Sequence, residues 1–175
     1  MLTDRAPLII TATLPPELQS WADRLRRTHY PPERNQLAAH VTLFHALPPS
    51  LLGEARTLLA ALACEVAPIA AWVDGVMDLT TGTAFAIHSP AMLDLRAQMA
   101  VMFHGMLSAQ DQGVPRLHVT VQNKVLRAQS RALQQELEAQ FVPRSFAFAG
   151  LELHYYRGGP WEAAGRWTFR GKRRA

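Results

Sequence analysis

Apolar and polar positions along this chain change period several times, and each change marks an element. Leu8-Ile9-Ile10-Thr11-Ala12-Thr13 reads as a strand, and Pro15-Pro16-Glu17 opens an amphipathic helix carrying Leu18, Trp21 and Leu25 to about Thr28. A loop with Pro31 and Pro32 leads to a second strand, His40 to Leu47. Pro48-Pro49-Ser50 then starts a helix through Leu51, Leu58, Leu59 and Leu62. Pro68 ends that helical region, and a strand pair is expected around Gly75.

From Thr83 the same order begins again. Ala84-Phe85-Ala86-Ile87-His88 is a strand, Pro90 opens a helix through Leu93, Met99 and Phe103, and after Gly113 and Pro115 a strand runs from His118 to Val125. A helix from about Ala128 to Gln140, Pro143, and strands on either side of Gly150 complete the parallel with Pro68 and Gly75. The pattern predicts an α+β chain built as a duplicated β-α-β-α-β unit, with halves of about 7–80 and 83–156 inside one bilobal domain, 1–175. Two such copies related by a pseudo-two-fold axis bring equivalent strands to face each other across a groove.

Composition narrows the class. Hydrophobic residues are 49% and charged residues 18%, the balance of a soluble globular domain. The apolar stretch from Leu51 to Val73 is interrupted by Glu54, Arg56, Glu65 and Pro68, so no membrane span is expected. Leu8-Ile9-Ile10 is too short for a signal-peptide core, and a cytoplasmic monomer is the expectation. Cys64 is the only cysteine, which excludes an intramolecular disulfide and a cysteine metal cluster. His29, His88, His104 and His154 show no ligand spacing, His45 projects away from His40 on a regular strand, and no Gly-x-x-x-x-Gly-Lys loop is present. Neither a metal nor another cofactor is expected. The net charge of +4 is almost wholly arginine, with Lys124 and Lys172 the only lysines, which permits a polyanionic partner.

The chemistry concentrates in two strings, His40-Val41-Thr42-Leu43 and His118-Val119-Thr120-Val121. In a strand, residues i and i+2 share a face, so each string presents an imidazole beside a hydroxyl while its valine and its last residue turn into a core. Chance alone gives about 0.4 His-x-Thr strings in a chain of this composition. Two in matching places point to a paired site. Cleaving a phosphodiester requires one proton removed, one donated, and hydrogen bonds to the phosphoryl oxygens. Imidazoles titrating near pH 6.5 can divide the first two tasks, and threonines can supply the third.

The paired strings in two similar halves resemble the two-histidine (2H) phosphoesterase superfamily, in particular its bacterial 2′-5′ RNA ligase branch. The resemblance covers nearly the whole chain and implies mainly antiparallel sheets lining a central cleft, with helices outside. It implies hydrolysis of 2′,3′-cyclic phosphates at RNA ends or on nucleotides, and in some members reversible 2′-5′ ligation without ATP. By that similarity His40 is the proton donor, His118 the proton acceptor, and Thr42 and Thr120 bind the phosphate. The expected partner is an RNA terminus or a small cyclic nucleotide. Two other readings stay open: a non-catalytic RNA or nucleotide-binding module, and the same chemistry on a non-RNA cyclic nucleotide or a 2′-5′ oligonucleotide.

Strand parity adds flanking candidates. Phe44 extends the face of His40 and Thr42 and is expected either as a base platform or as ordinary packing; Lys124 extends that of His118 and Thr120 as a phosphate cation. Tyr156 and Arg157, in the Tyr155-to-Trp161 segment, suit a loop over a nucleotide, although a turn with Trp161 covering the core fits as well. Arg116 shares the parity of His118 and could reach a phosphate or simply lie on the surface.

Overall fold

The structure is a computed structural model that describes residues 5–173. The first run of elements is β1 (Leu8–Thr13), α1 (Pro16–His29), β2 (Val41–Leu47), α2 (Leu52–Glu65) and β3 (Ile69–Asp78). The second is β4 (Thr83–His88), α3 (Pro90–Met102), β5 (His118–Gln122), α4 (Arg127–Ala139), β6 (Arg144–Phe148) and β7 (Gly150–Tyr155), followed by β8 (Glu162–Thr168). The fold is α+β. Among the described residues no helix is long and apolar enough to cross a membrane.

Local chemistry sets most boundaries. Pro16 occupies the first turn of α1, where a missing N–H costs nothing, and Leu18, Ala22 and Arg26 form its buried stripe at i, i+4 and i+8. Ser89 caps α3 by accepting from the Met92 N–H, and its hydroxyl also donates to the Ala70 carbonyl (2.8 Å), tying the helix start to β3. The Leu126 N–H at the head of α4 donates to the Gln129 side chain. β7 begins at Gly150, where a Cβ would lie 2.2 Å from the Trp167 carbonyl oxygen, so only glycine lets β8 close against it.

The strands form two antiparallel sheets, in the orders β2-β1-β7-β8 and β5-β4-β3-β6. Each run of elements thus gives its last strand to the other sheet: β3 pairs with β4, and β7 pairs with β1. A single core joins them, with Leu8, Ile10, Leu43, Phe44, Leu59, Val119, Phe148 and Leu153 among its members. Each such side chain contributes roughly 1.5–3 kcal/mol by leaving water.

β8 is not expected from the sequence, and three of the expected strands differ in detail. The segment around Gly75 is one ten-residue strand, not a pair; the register shift between Val73 and Gly75 makes Asp74 the extra residue of a bulge, which bends the strand without ending it. β5 stops at Gln122 instead of Val125, because Lys124 takes a positive φ of 59° and Val125 turns to donate to the Thr81 carbonyl. In β2, Thr42 lies opposite Thr11 but Phe44 lies opposite Ile10, so Leu43 is the extra residue of a second bulge.

Candidate active site

The two histidines are held alike. The His40 ring contacts the Ala38 carbonyl through Nδ1 at 2.8 Å, and the His118 ring contacts the Arg116 carbonyl through Nδ1 at 2.7 Å. A carbonyl can only accept, so each Nδ1 carries a proton, and Nε2 is the ring nitrogen left for proton exchange. Val41, Leu43, Val119 and Val121 are all 0% exposed, while Thr42 and Thr120 are half-buried on the other face. β2 and β5 are in contact, and His118 is close enough for its charge to act on His40.

Side chains from α1 and α3 fix these strands from the opposite runs of elements. Buried Arg26 of α1 donates through Nη1 to the Thr120 carbonyl (2.8 Å) and through Nε to Asn35 Oδ1 (3.1 Å), with its guanidinium over the Tyr30 ring. Buried Arg96 of α3 donates to the Leu43 carbonyl (3.2 Å), to the Gly113 carbonyl (2.8 Å) and to the Asp111 carbonyl, and stacks on Phe44. Upstream of His40, Asp23 accepts from the Ala39 N–H and Gln19 donates to the Ala39 carbonyl. The peptide before the ring is therefore clamped from both sides.

Electrostatics acts strongly on His40. Desolvation in the cleft pushes His40 down to about 4, and the charges of Arg26, His154 and His118 act in the same direction against the opposing pull of the Ala38 carbonyl. His154 is also lowered by burial, partly offset by Glu152. At pH 7 His40 is therefore neutral, the protonation state of a base.

A cavity of about 610 Å³ opens beside His40. Trp161 lines it, with ring centroids 4.5 Å from His40 and 5.2 Å from His154. His154 Nε2 lies 3.0 Å from Thr11 Oγ1, and Glu152 pairs with Arg166 at 3.3 Å. None of Thr11, Glu152, His154 and Arg166 stands out in the sequence. The only local signal is Thr11 and Thr13, two polar residues at i, i+2 in an otherwise apolar strand.

The flanking candidates fare differently. Phe44 is 0% exposed and packs edge-on against Phe103 (5.6 Å); the bulge at Leu43 reverses the parity that would have put it in the cleft, so it is core and not a base platform. Lys124 lies beyond the end of β5 and lines a separate depression with His29, Tyr30 and Glu33. Tyr156 is exposed with its N–H on the Pro7 carbonyl, and Arg157 pairs with Glu162 at 2.6 Å and lies over Tyr155; neither lines the cavity beside His40. That loop instead contributes Pro160 and Trp161. Arg116 is exposed and serves His118 through its carbonyl. His45 is held by Asp111 (2.9 Å). Among the described residues, no three of the potential ligands histidine, cysteine, aspartate and glutamate gather as a metal site.

The sequence profile of the 2′-5′ RNA ligase superfamily matches residues 14–160. A search of curated proteins finds no match. The fold is similar to that of TT0787 of Thermus thermophilus, with 15% identity, a TM-score of 0.65, and coverage of 95% of this chain and 100% of that one. It is also similar to a structure described as a phosphoesterase (20% identity, TM-score 0.58, 95% and 99% covered). A third similar structure is E. coli LigT complexed with 3′-AMP (19% identity, TM-score 0.55, 95% and 99% covered). At these identities the likeness is one of fold.

Proposed function

Since the chain belongs to the 2′-5′ RNA ligase superfamily, we propose that it hydrolyses 2′,3′-cyclic phosphates, at RNA ends or on nucleotides, by acid-base catalysis between His40 and His118. The observation that carries this reading is the matched tethering of the two rings, each with Nδ1–H on the carbonyl two residues back and a threonine two residues on. That arrangement aims two Nε2 atoms from rigid strands and sets a hydroxyl beside each. The nucleotide bound in the E. coli LigT structure supports a substrate of the same class.

In the proposed reaction a base takes a proton from water as its oxygen attacks phosphorus, and a protonated imidazole gives its proton to the departing ribose oxygen. Thr42 and Thr120 donate to the non-bridging oxygens. The product is a ribose phosphomonoester, and with a ribose hydroxyl as nucleophile the same steps form a 2′-5′ linkage. His40 is assigned as donor and His118 as acceptor. Because His40 is neutral at pH 7, this assignment requires the phosphate anion to charge it on binding, by offsetting the desolvation that lowers it.

The test is turnover of 2′,3′-cyclic mononucleotides in excess EDTA by wild type, His40→Ala and His118→Ala. Wild type is expected to turn over, and each variant to lose about 10²- to 10⁴-fold in kcat. No wild-type turnover on any cyclic phosphate would leave a nucleotide-binding module as the better reading. Activity abolished by EDTA alone would require a metal.

A further inference from the structure

On the cleft face of the first sheet one polar row crosses all four strands. Thr42 lies opposite Thr11, Thr11 opposite Glu152, and Glu152 opposite Arg166. Cross-strand partners share a face, and three strand spacings make the row about 14 Å long, the reach of a nucleotide from phosphate to base edge. Thr42 stands at the phosphate end. The cavity beside His40 is lined by the rest of the row, Thr11, Glu152 and Arg166, together with Trp161.

Thr13, two residues along β1 from Thr11, lines the same cavity. It is 5% exposed, and among the described residues its Oγ1 has no hydrogen-bond partner. A buried hydroxyl left unpaired costs about 1–3 kcal/mol, so it is a standing demand for a polar group from outside the chain. On the neighbouring strand the Glu152 carboxylate is half-buried and acceptor-only; its Oε1 lies 3.3 Å from Arg166 Nε, which leaves lone pairs on both oxygens for two N–H donors side by side. Among the RNA bases only guanine offers two adjacent donors, N1–H and the N2 amino group. Adenine and cytosine would set a ring-nitrogen lone pair against a carboxylate oxygen, and uracil offers a single N–H. Arg166, at the end of the row, is a donor suited to the guanine O6 and N7 acceptors.

We propose that this cavity is a base pocket selective for guanine, in which Glu152 reads the N1–H and N2 amino edge, Thr13 supplies the buried hydroxyl contact, and Trp161 covers the base. The pocket rests on the phosphoesterase reading, because His40 and Thr42 hold the phosphate at the head of the row. Binding of the product-like nucleotide can nevertheless be measured without catalysis, which separates the two.

Isothermal titration calorimetry with guanosine 3′-monophosphate and adenosine 3′-monophosphate is the experiment. Wild type is expected to bind the guanosine compound about tenfold more tightly, the value of one good bidentate contact. Glu152→Gln, which keeps the shape but replaces one acceptor by a donor, should bring that ratio close to one. Thr13→Val should weaken guanosine monophosphate binding without lowering the stability of the unliganded protein, since the hydroxyl it removes is unpaired. Equal affinities in wild type, or a preference that survives Glu152→Gln, would overturn the pocket assignment. A guanine preference in a protein with no turnover on any cyclic phosphate would uphold the pocket and reject the phosphoesterase reading; turnover without preference would do the reverse.

Discussion

Arg26 and Thr120 are 94 positions apart in sequence, yet the guanidinium of the one donates at 2.8 Å to the main-chain carbonyl of the other. Arg96 makes the reciprocal contact, from α3 to the Leu43 carbonyl. Each motif strand is held by an arginine from the opposite run of elements. A planar fork with several donors can satisfy two or three carbonyls at once, which an ammonium on a flexible stem cannot match in geometry.

Arg26→Ala should therefore lower stability by about 2 kcal/mol in urea denaturation, the cost of leaving a buried carbonyl without its charged donor. Arg26→Lys should recover only part of this. A second readout follows from charge: Arg26 helps to hold His40 down, so the His40 resonance should titrate at higher pH in Arg26→Ala than in wild type. An unchanged His40 titration would show that the arginine acts only as a brace.

The pH response of His40 can be worked out in sign. Its pKa in the folded chain, about 4, is below the ordinary 6.5, so between these values the unfolded chain binds the proton first. Its contribution to stability is complete above pH 6.5 and is lost as the pH falls towards 4. His154 is shifted the same way and adds to the slope. Chemical denaturation across this window should show stability falling with pH, with a shallower fall in His40→Asn. Adding a nucleoside monophosphate should raise the His40 pKa in an NMR titration; a ring that stays neutral with phosphate bound would assign His40 as the base and His118 as the donor.

Asp111 is 1% exposed and accepts from the His45 and Ala46 N–H groups and from His45 Nδ1. Burial pushes its carboxyl up, but these donors outweigh burial and hold it below the usual carboxylate range. Asp111→Asn turns an acceptor towards donors and should cost about 2–3 kcal/mol. By the same sign rule the aspartate's contribution is present above its ordinary pKa and lost on further acidification. Wild type and Asp111→Asn should therefore converge in stability at strongly acid pH, and parallel curves would contradict the account.

Phe44→Ala should destabilise by about 3–5 kcal/mol through a core cavity, while the protein that remains folded keeps its KM for a cyclic nucleotide. A raised KM at unchanged stability would return Phe44 to the substrate.

The different outcomes for Phe44 and for the motif residues show how far the sequence was legible. Alternation over four residues was enough to put Val41, Leu43, Val119 and Val121 into the core and the threonines on the cleft side, because a short regular strand obeys its period. One bulge residue, Leu43, inverted everything beyond it, and a bulge has no compositional mark here. Lys124 failed for the same kind of local reason, since the strand ended two residues before it. The cavity residues were hidden by a different cause. Thr11, Glu152 and Arg166 become neighbours only when β7 crosses to β1, and that pairing is a long-range choice that no local pattern encodes.

The exchange of β3 and β7 between the sheets also bears on how the chain can be divided. A cut in the turn at 79–82 would part β3 from the sheet it completes and leave β1 without its inner neighbour β7, so each fragment would show a raw hydrogen-bonding edge to solvent. Such fragments should be insoluble or unfolded alone and should reconstitute when mixed. Two pieces that cannot stand apart can be supplied as separate genes, and activity would then report that both are present in the same cell.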